Sequence, residues 1–183
     1  AQQTVAEVKN TNITTVGNSE INAKAEDDSR VINVAVGIGG AGTAAVQGAS
    51  ATSLINKTTG AELTNTNIDK DSANSKNANV TVEAVNDTEI TSSADVAAVA
   101  GTGAGVGAGV AVNRIVQNTQ AALNGGTMNV NNLIISADGT PRIENIGIGI
   151  GVAGEGAGVT GNVSVNMIKN NVTAHIGGGA NIV

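Results

Sequence analysis

Three kinds of residue in this chain of 183 could do chemistry: glycines at fingerprint spacing, clustered carboxylates and a single histidine. Gly37, Gly39 and Gly42, and again Gly156, Gly158 and Gly161, fit the dinucleotide pattern G-x-G-x-x-G. That pattern works only where a helix follows, so that its amide N–H groups hold a pyrophosphate, with an acid about 20 positions on. More strand-like sequence follows both runs, and the glycines read as sites of close backbone packing. Glu26, Asp27 and Asp28, and Asp69 with Asp71, are hard-ion ligands that would suit calcium at a corner. The glycine- and aspartate-rich nonapeptide of calcium rolls is absent, so these acids read as solvated turns. His175 has no Ser, Cys or carboxylate at a recognisable spacing, and corresponding positions hold Glu62 and Ala122, which suggests a tolerant outward site. Asn12, Asn56, Asn79, Asn86, Asn162 and Asn171 stand in Asn-x-Ser/Thr sequons, incidental in a chain so rich in Asn and Thr. No catalytic, cofactor or metal residue is assigned, and the chain is expected not to be an enzyme.

Composition points the same way. There is no Phe, Tyr or Trp, so the core must be thin and built from Val, Ile, Ala and Gly, without the aromatic walls of most ligand pockets. The net charge of −6 and a pI near 4.6 disfavour nucleic acid. There is no cysteine for disulfides or thiolate metals. No apolar run suits a membrane helix, and no membrane insertion is expected. A signal peptide is absent, as it would be from a fragment or a mature chain. The Asn, Thr, Ser and Gly content, with a single proline, resembles exported bacterial surface proteins.

The elements that would position any site are repeated. GTGAGVGAGVAVNRIVQNTQAAL (101–123) has relatives at 154–176 and, more loosely, at 41–63. Residues 79–123 align with 132–176 at a constant offset of 53, whereas the first offset shifts from 59 to 60 within the glycine-rich part. The units are 21–79, 80–132 and 133–183, preceded by residues 1–20 as the tail of an earlier unit and a loop. Residues 6–13 match 61–68 almost letter for letter. Period-two alternation predicts strands, with polar turns at 26–29, 86–87 and 138–139 and an exposed mobile loop over 69–77. Val106, Ala108, Val110 and Val112 share one parity, and Ile115, Thr119, Ala121 and Leu123 share the other. The change of face predicts corners at Asn113, Asn166 and Ser53, with Asn suited to the left-handed conformation. Expected core-strand residues are Val106, Val110, Val112, Ile115, Leu123, Val163, Val165, Ile168 and Ile176. Helix fails on glycine density and on the absence of an apolar stripe at helical spacing.

The predicted fold is all-β, a right-handed parallel β-solenoid of repeats of roughly 53–60 residues, two to three coils per unit, each unit advancing about 10–14 Å. The unit V-G-x-G-x-A/S-V-x-V-N-x-I-x-N-x-T-x-A-x-I, carried by 106–123, 159–176 and more loosely 46–63, resembles repeats of very large bacterial exoproteins. These are the filamentous-haemagglutinin-like and leukotoxin-type filamentous adhesins. The resemblance implies a secreted or surface-associated shaft with a right-handed β-helix fold, and it carries over no catalytic residue. The expected function is therefore a structural shaft at the bacterial cell surface or outside it, holding a binding region for a host or cell-surface receptor away from the cell. The alternative is a self-assembling extracellular-matrix or biofilm fibre subunit. Neither end reads as a cap, so the expected partners are neighbouring repeats or identical chains stacked end to end into a filament.

Overall fold

A computed structural model describes residues 2–183, with the side chains of all of them except 71–76. The strands are β1 (Gln2–Lys9), β2 (Asn12–Ala41), β3 (Ala45–Thr64), β4 (Asn67–Ala100), β5 (Gly105–Asn124), β6 (Thr127–Asn129), β7 (Asn132–Ile146), β8 (Gly149–Ala153), β9 (Gly158–Gly177) and β10 (Asn181–Ile182). Every pairing among them is parallel, and no helix occurs among the described residues. A short-stranded sheet has the order β1-β3-β5-β9; in the long-stranded sheet β2 pairs with β4, β4 with β6, β7 and β8, and β6 with β10. The chain passes from one sheet to the other and back, so each circuit lies beside the one before it.

One sequence repeat is one circuit. Gly105 pairs with Gly158 and Asn124 with Gly177, 53 positions on throughout. Ala41 pairs with Ala100, 59 on, and Ala45 with Gly105, 60 on, so the extra residue lies in the turn at 101–104. The expectation of two to three coils per unit is thereby corrected, because a unit advances only one strand spacing, about 4.8 Å. The polar clusters expected as turns explain the difference. Residues 26–29 lie inside β2, 86–87 inside β4 and 138–139 inside β7. Between Lys70 and Asn77 the register against β2 slips from Thr15↔Lys70 to Asn18↔Asn77, a gain of four positions. The loop expected over 69–77 falls mostly on residues outside those with described side chains. In the third circuit Asn131 closes the shorter path: its N–H donates to Ala78 O (2.7 Å) and its Oδ1 accepts from the Ala78 N–H (2.9 Å).

The core between the sheets is layered along the strands. At one edge Leu63, Ile68, Val80, Val82, Leu123 and Met128 form the thickest part. A polar seam follows, then an isoleucine layer of Ile55, Ile90 and Ile115 with Val31 and Ile143. A second polar layer and an alanine layer of Ala51, Ala94, Ala111 and Ala35 come next. The sandwich ends on glycine, where the sheets approach so closely that a Cβ on Gly105 would stand 2.8 Å from Ala98 O and 2.9 Å from Val152 O. The small residue changes sheet from circuit to circuit. Gly37 and Gly39 of β2 face Gln47, Gly107 of β5 faces Val96, and Gly149 of β8 faces Thr160 of β9.

This taper reverses part of the expected core. Val106, Val110 and Val112 point outward, 41%, 39% and 39% exposed: Gly105, Gly107 and Gly109 take the inner face beside the first two, where a Cβ would clash, and Ala111 and Asn113 take it beside Val112. Val163 and Val165 are exposed likewise on β9. Ile115 and Leu123 are inward and fully buried. Ile168 and Ile176 pair with them in register but stay half-exposed on the outermost strand. No change of face occurs at Asn113: it lies in mid-β5, 1% exposed, and Ser53 and Asn166 lie in mid-β3 and mid-β9. These three are not corners. The left-handed asparagines are Asn10 (φ 51°) and Asn65 (φ 47°), at turns where Gly125 and Gly178 do the same work in later circuits.

Candidate functional site: a polar seam inside the sandwich

The densest convergence of ionisable and hydrogen-bonding side chains is inside the core. Along β2, period two points Ala23, Ala25, Asp27 and Ser29 inward; along β3 it does so for Ile55, Lys57, Thr59 and Ala61. The sheets therefore bring Asp27 and Lys57 face to face, with side chains only 9% and 7% exposed. Lys57 Nζ donates to Asp27 Oδ1 at 2.5 Å and to Ser29 Oγ. Ser29 Oγ donates to Asp27 Oδ1 (2.9 Å), and Thr4 Oγ1, reaching across from β1, donates to Asp27 Oδ2 (2.9 Å). Burial alone pushes the Asp27 carboxyl up, but hydrogen bonds from Lys57, Thr4 and Ser29 and the ammonium charge outweigh it. The carboxylate is held below its ordinary value.

The same position continues through the stack with the charges removed. Gln2, Lys57, Gln117 and Asn170 form one column, and Asp27, Asn86 and Gly139 the opposite one. In the central circuit Asn86 Nδ2 donates to Thr59 Oγ1 of the preceding circuit (2.9 Å), and Thr88 Oγ1 donates to Asn86 Oδ1 (2.8 Å). Gln117 Nε2 donates across the core to the Asn86 carbonyl (2.6 Å). Asn170 Nδ2 repeats that bond to the Gly139 carbonyl (2.9 Å). A Cβ on Gly139 would lie 2.9 Å from Gln117 Nε2 and 3.0 Å from Asn170 Oδ1, so the third circuit keeps the bond by giving up the side chain. The second polar layer is simpler. Asn33 Nδ2 donates to Ser53 Oγ (3.1 Å), Asn113 Nδ2 to Asn166 Oδ1 (3.0 Å), and Asn145 Nδ2 to Ser164 Oγ.

Such a seam can hold circuits in register. It has the cation, carboxylate, hydroxyl and amide groups of an active site, but its hydrogen bonds run to other strands and to neighbours on the same strand, and Gln117 Oε1 and Thr119 Oγ1 are buried without a partner. The paired groups favour one arrangement because a slip leaves a buried donor or charge without its partner. A recess of about 620 Å³ touching the seam is lined by Gln2, Asp28, Arg30, Leu54, Ile55 and Lys57. It is the interior of the first circuit showing at the edges of β2 and β3, since β1 covers β3 only over Lys57–Thr64.

Of the clustered carboxylates with described side chains, Asp27 alone enters the seam, joined there by Asn86 of the sequons; Glu26 and Asp28 point outward from β2. Gly37, Gly39 and Gly42 are followed by β3, and Gly156, Gly158 and Gly161 lead into and through β9. Among the described residues no three His, Asp or Glu side chains converge in a metal-binding group. His175 is in register with Ala122 and Glu62, but Ala122 is fully buried and the His175 Nδ1 is buried without a hydrogen-bond partner, so the column is not the tolerant outward site expected. Asn86 of the sequons is fully buried. Sequence reasoning missed Lys57, whose signal was a cation at an inward position between Ile55 and Thr59. Comparison with protein-family models, curated proteins and solved structures returns no match.

Proposed function

We propose that the chain is a β-solenoid segment of the shaft of a secreted or surface-exposed bacterial filamentous adhesin, one that extends a receptor-binding region from the cell. The observation that carries this reading is the in-register parallel pairing of whole repeats, 53 to 60 residues apart. A stack of that kind gains length with every repeat and needs no other scaffold. Its polar groups are spent between circuits, in ladders such as Asn67 Nδ2 to Asn12 Oδ1 (2.7 Å), Asn132 to Asn79 (2.8 Å) and Asn171 to Asn118 (2.7 Å). Right-handed winding belongs to the same reading. The edges support stacking in either form of the proposal. β2 is paired on one side only, and so is β9, which leaves rows of backbone donors and acceptors that another circuit would satisfy. In a shaft that circuit belongs to the same polypeptide; in a matrix fibre it belongs to another copy.

Immunogold labelling of intact source cells with antibody to this chain tests the reading. Label on filaments outside the cell is expected, and label confined to the interior of permeabilised cells overturns it. Duplicating residues 67–126 in frame should lengthen the particle by about 4.8 Å per copy in small-angle scattering.

A further inference from the structure

Charge is distributed unevenly along each circuit. Residues 31–56 carry no Asp, Glu, Lys or Arg, residues 90–113 only Asp95, and residues 145–168 only Glu155. This half of the sandwich is the tapered one, where glycine fills the inside and the β-branched residues are turned out. On the outer face of the short-stranded sheet they stand in columns: Val46–Val106–Val159, Ser50–Val110–Val163 and Thr52–Val112–Val165. Even on the central strand β5 the valines are about 40% exposed, and on β9 Val159 and Val163 reach 59% and 60%. No charged group interrupts the columns; Arg114 lies just beyond them, level with Leu54 and Met167.

We propose that this valine face is a docking surface for a second copy of the chain, packed side by side, sheet on sheet. Its repeat distances are the first argument. The strands recur at about 4.8 Å and the outward positions along them at about 6.6 Å, with the low Gly48–Ala108–Gly161 column between the first two valine columns, and a surface with the same periods and relief can interdigitate with all of them. Valine also loses little rotamer freedom when it is covered. Charge is the second. Copies of a chain with net charge −6 repel one another, and this face is where two can touch without placing like charges together. The outer face of the long-stranded sheet is apolar too, with Val34, Val36 and Ile38 more than half exposed. It carries Asp95 beside Val36, however, and the Asp95 carboxylate accepts the Ile148 N–H (2.9 Å) in the middle of that face. Self-contact there would bring two carboxylates together.

Area sets how strong the contact is. Eight residues along the strand span about 25 Å and three strands about 14 Å, roughly 350 Å² in all. A stable interface buries about 800 Å² on each partner. Three circuits therefore pair weakly, and about seven would be needed for a lasting contact. Side-by-side pairing is thus a property that grows with shaft length, distinct from the end-to-end stacking proposed above and independent of the adhesin reading.

Because the chain has no cysteine, Val110→Cys provides a single thiol on the central strand, away from both open ends. With a short bis-maleimide, V110C should give covalent dimers at least fivefold faster than V36C, its control on the opposite face. Adding Val163→Lys should abolish that excess, with Val165→Lys as a second variant on the same face and far-UV circular dichroism checking that both remain folded. Equal rates for V110C and V36C overturn the proposal, as does a rate unchanged by both lysine variants. If V110C gives no dimer while the chain floats with phosphatidylcholine vesicles and Val163→Lys stops it floating, the face serves lipid and the proposal is also overturned.

Discussion

Replacing Lys57 with methionine keeps the length of the stem and removes the charge that faces Asp27. The carboxylate would then have only the Thr4 and Ser29 hydroxyls, at a side chain 9% exposed. Breaking a buried pair from one side costs about 3–5 kcal/mol, most of it the desolvated partner charge. Each circuit touches only its neighbours, so the loss should stay local and appear as easier opening of the first circuit. In hydrogen exchange at pH 7, 3 kcal/mol corresponds to about 150-fold faster exchange, expected over β2 and β3 but not over β5 beyond its contact with them. The central circuit supplies the rescue, since Asn86 and Gln117 occupy the columns of Asp27 and Lys57. Asp27→Asn with Lys57→Gln should therefore lie within about 1 kcal/mol of wild type. The pair also has a pH signature. The Asp27 carboxyl is held below its ordinary value of 3.8, so its contribution is complete above that value and is lost as pH falls through the lower folded value. The double variant should lack this acid-side loosening, apart from what Glu62 adds, whose carboxyl is held below its ordinary value by hydrogen bonds from Asn124 and Thr64. Exchange within threefold of wild type in Lys57→Met, or a double variant no better than the single one, refutes the reasoning.

Gly105→Ala should destabilise by about 1–3 kcal/mol, because the new methyl would meet backbone oxygens of two circuits; Val106→Ala, one residue away and outward, should stay within about 0.5 kcal/mol, and thermal melts compare them. Ile115→Ala should cost about 2–5 kcal/mol. Ile168→Ala, its half-exposed neighbour in the same column, should cost less than half as much in urea unfolding. Asn131→Ala removes the acceptor for the Ala78 N–H and should cost about 1–3 kcal/mol, read as faster exchange at Ala78.

The parallel all-β architecture was legible because it depends on period two and on repeat offsets, and both survive translation into register. The 53-residue offset read from the letters is the pairing between β5 and β9. What misled was treating polarity as a sign of turns. Asp27, Asn86 and Asp138 sit amid small polar neighbours, which in a globular domain mark a bend. Here Asp27 and Asn86 are inward members of 30- and 34-residue strands. The true corner was visible in another form, as the near-identity of residues 6–13 and 61–68, since Asn10 and Asn65 occupy the same place in that match. The inward face was misread for a related reason. Alternating valine and glycine suggests valine inside, and the opposite holds wherever two sheets come closer than a Cβ allows. No single strand carries that information. It resides in the facing strand, which the sequence places some ten to thirty residues away and on the other sheet.

That dependence on the facing strand also explains why the circuits are alike but not interchangeable. Gly37 and Gly39 give way to Gln47 in the first circuit, Gly107 to Val96 in the second and Gly149 to Thr160 in the third, so the bulk alternates between sheets as the stack rises. A long-sheet strand placed opposite the short-sheet strand of an adjacent circuit would meet either two large residues or two glycines, a clash or a void. The seam imposes a similar test with polarity, since Lys57 opposite Asn86, or Asp27 opposite Gln117, would leave a buried charge without its counterion. Volume and charge thus penalise the same error independently. A stack of near-identical repeats, the architecture most exposed to slipping by one whole unit, is in this way tied to a single order of circuits by the residues that make its repeats imperfect.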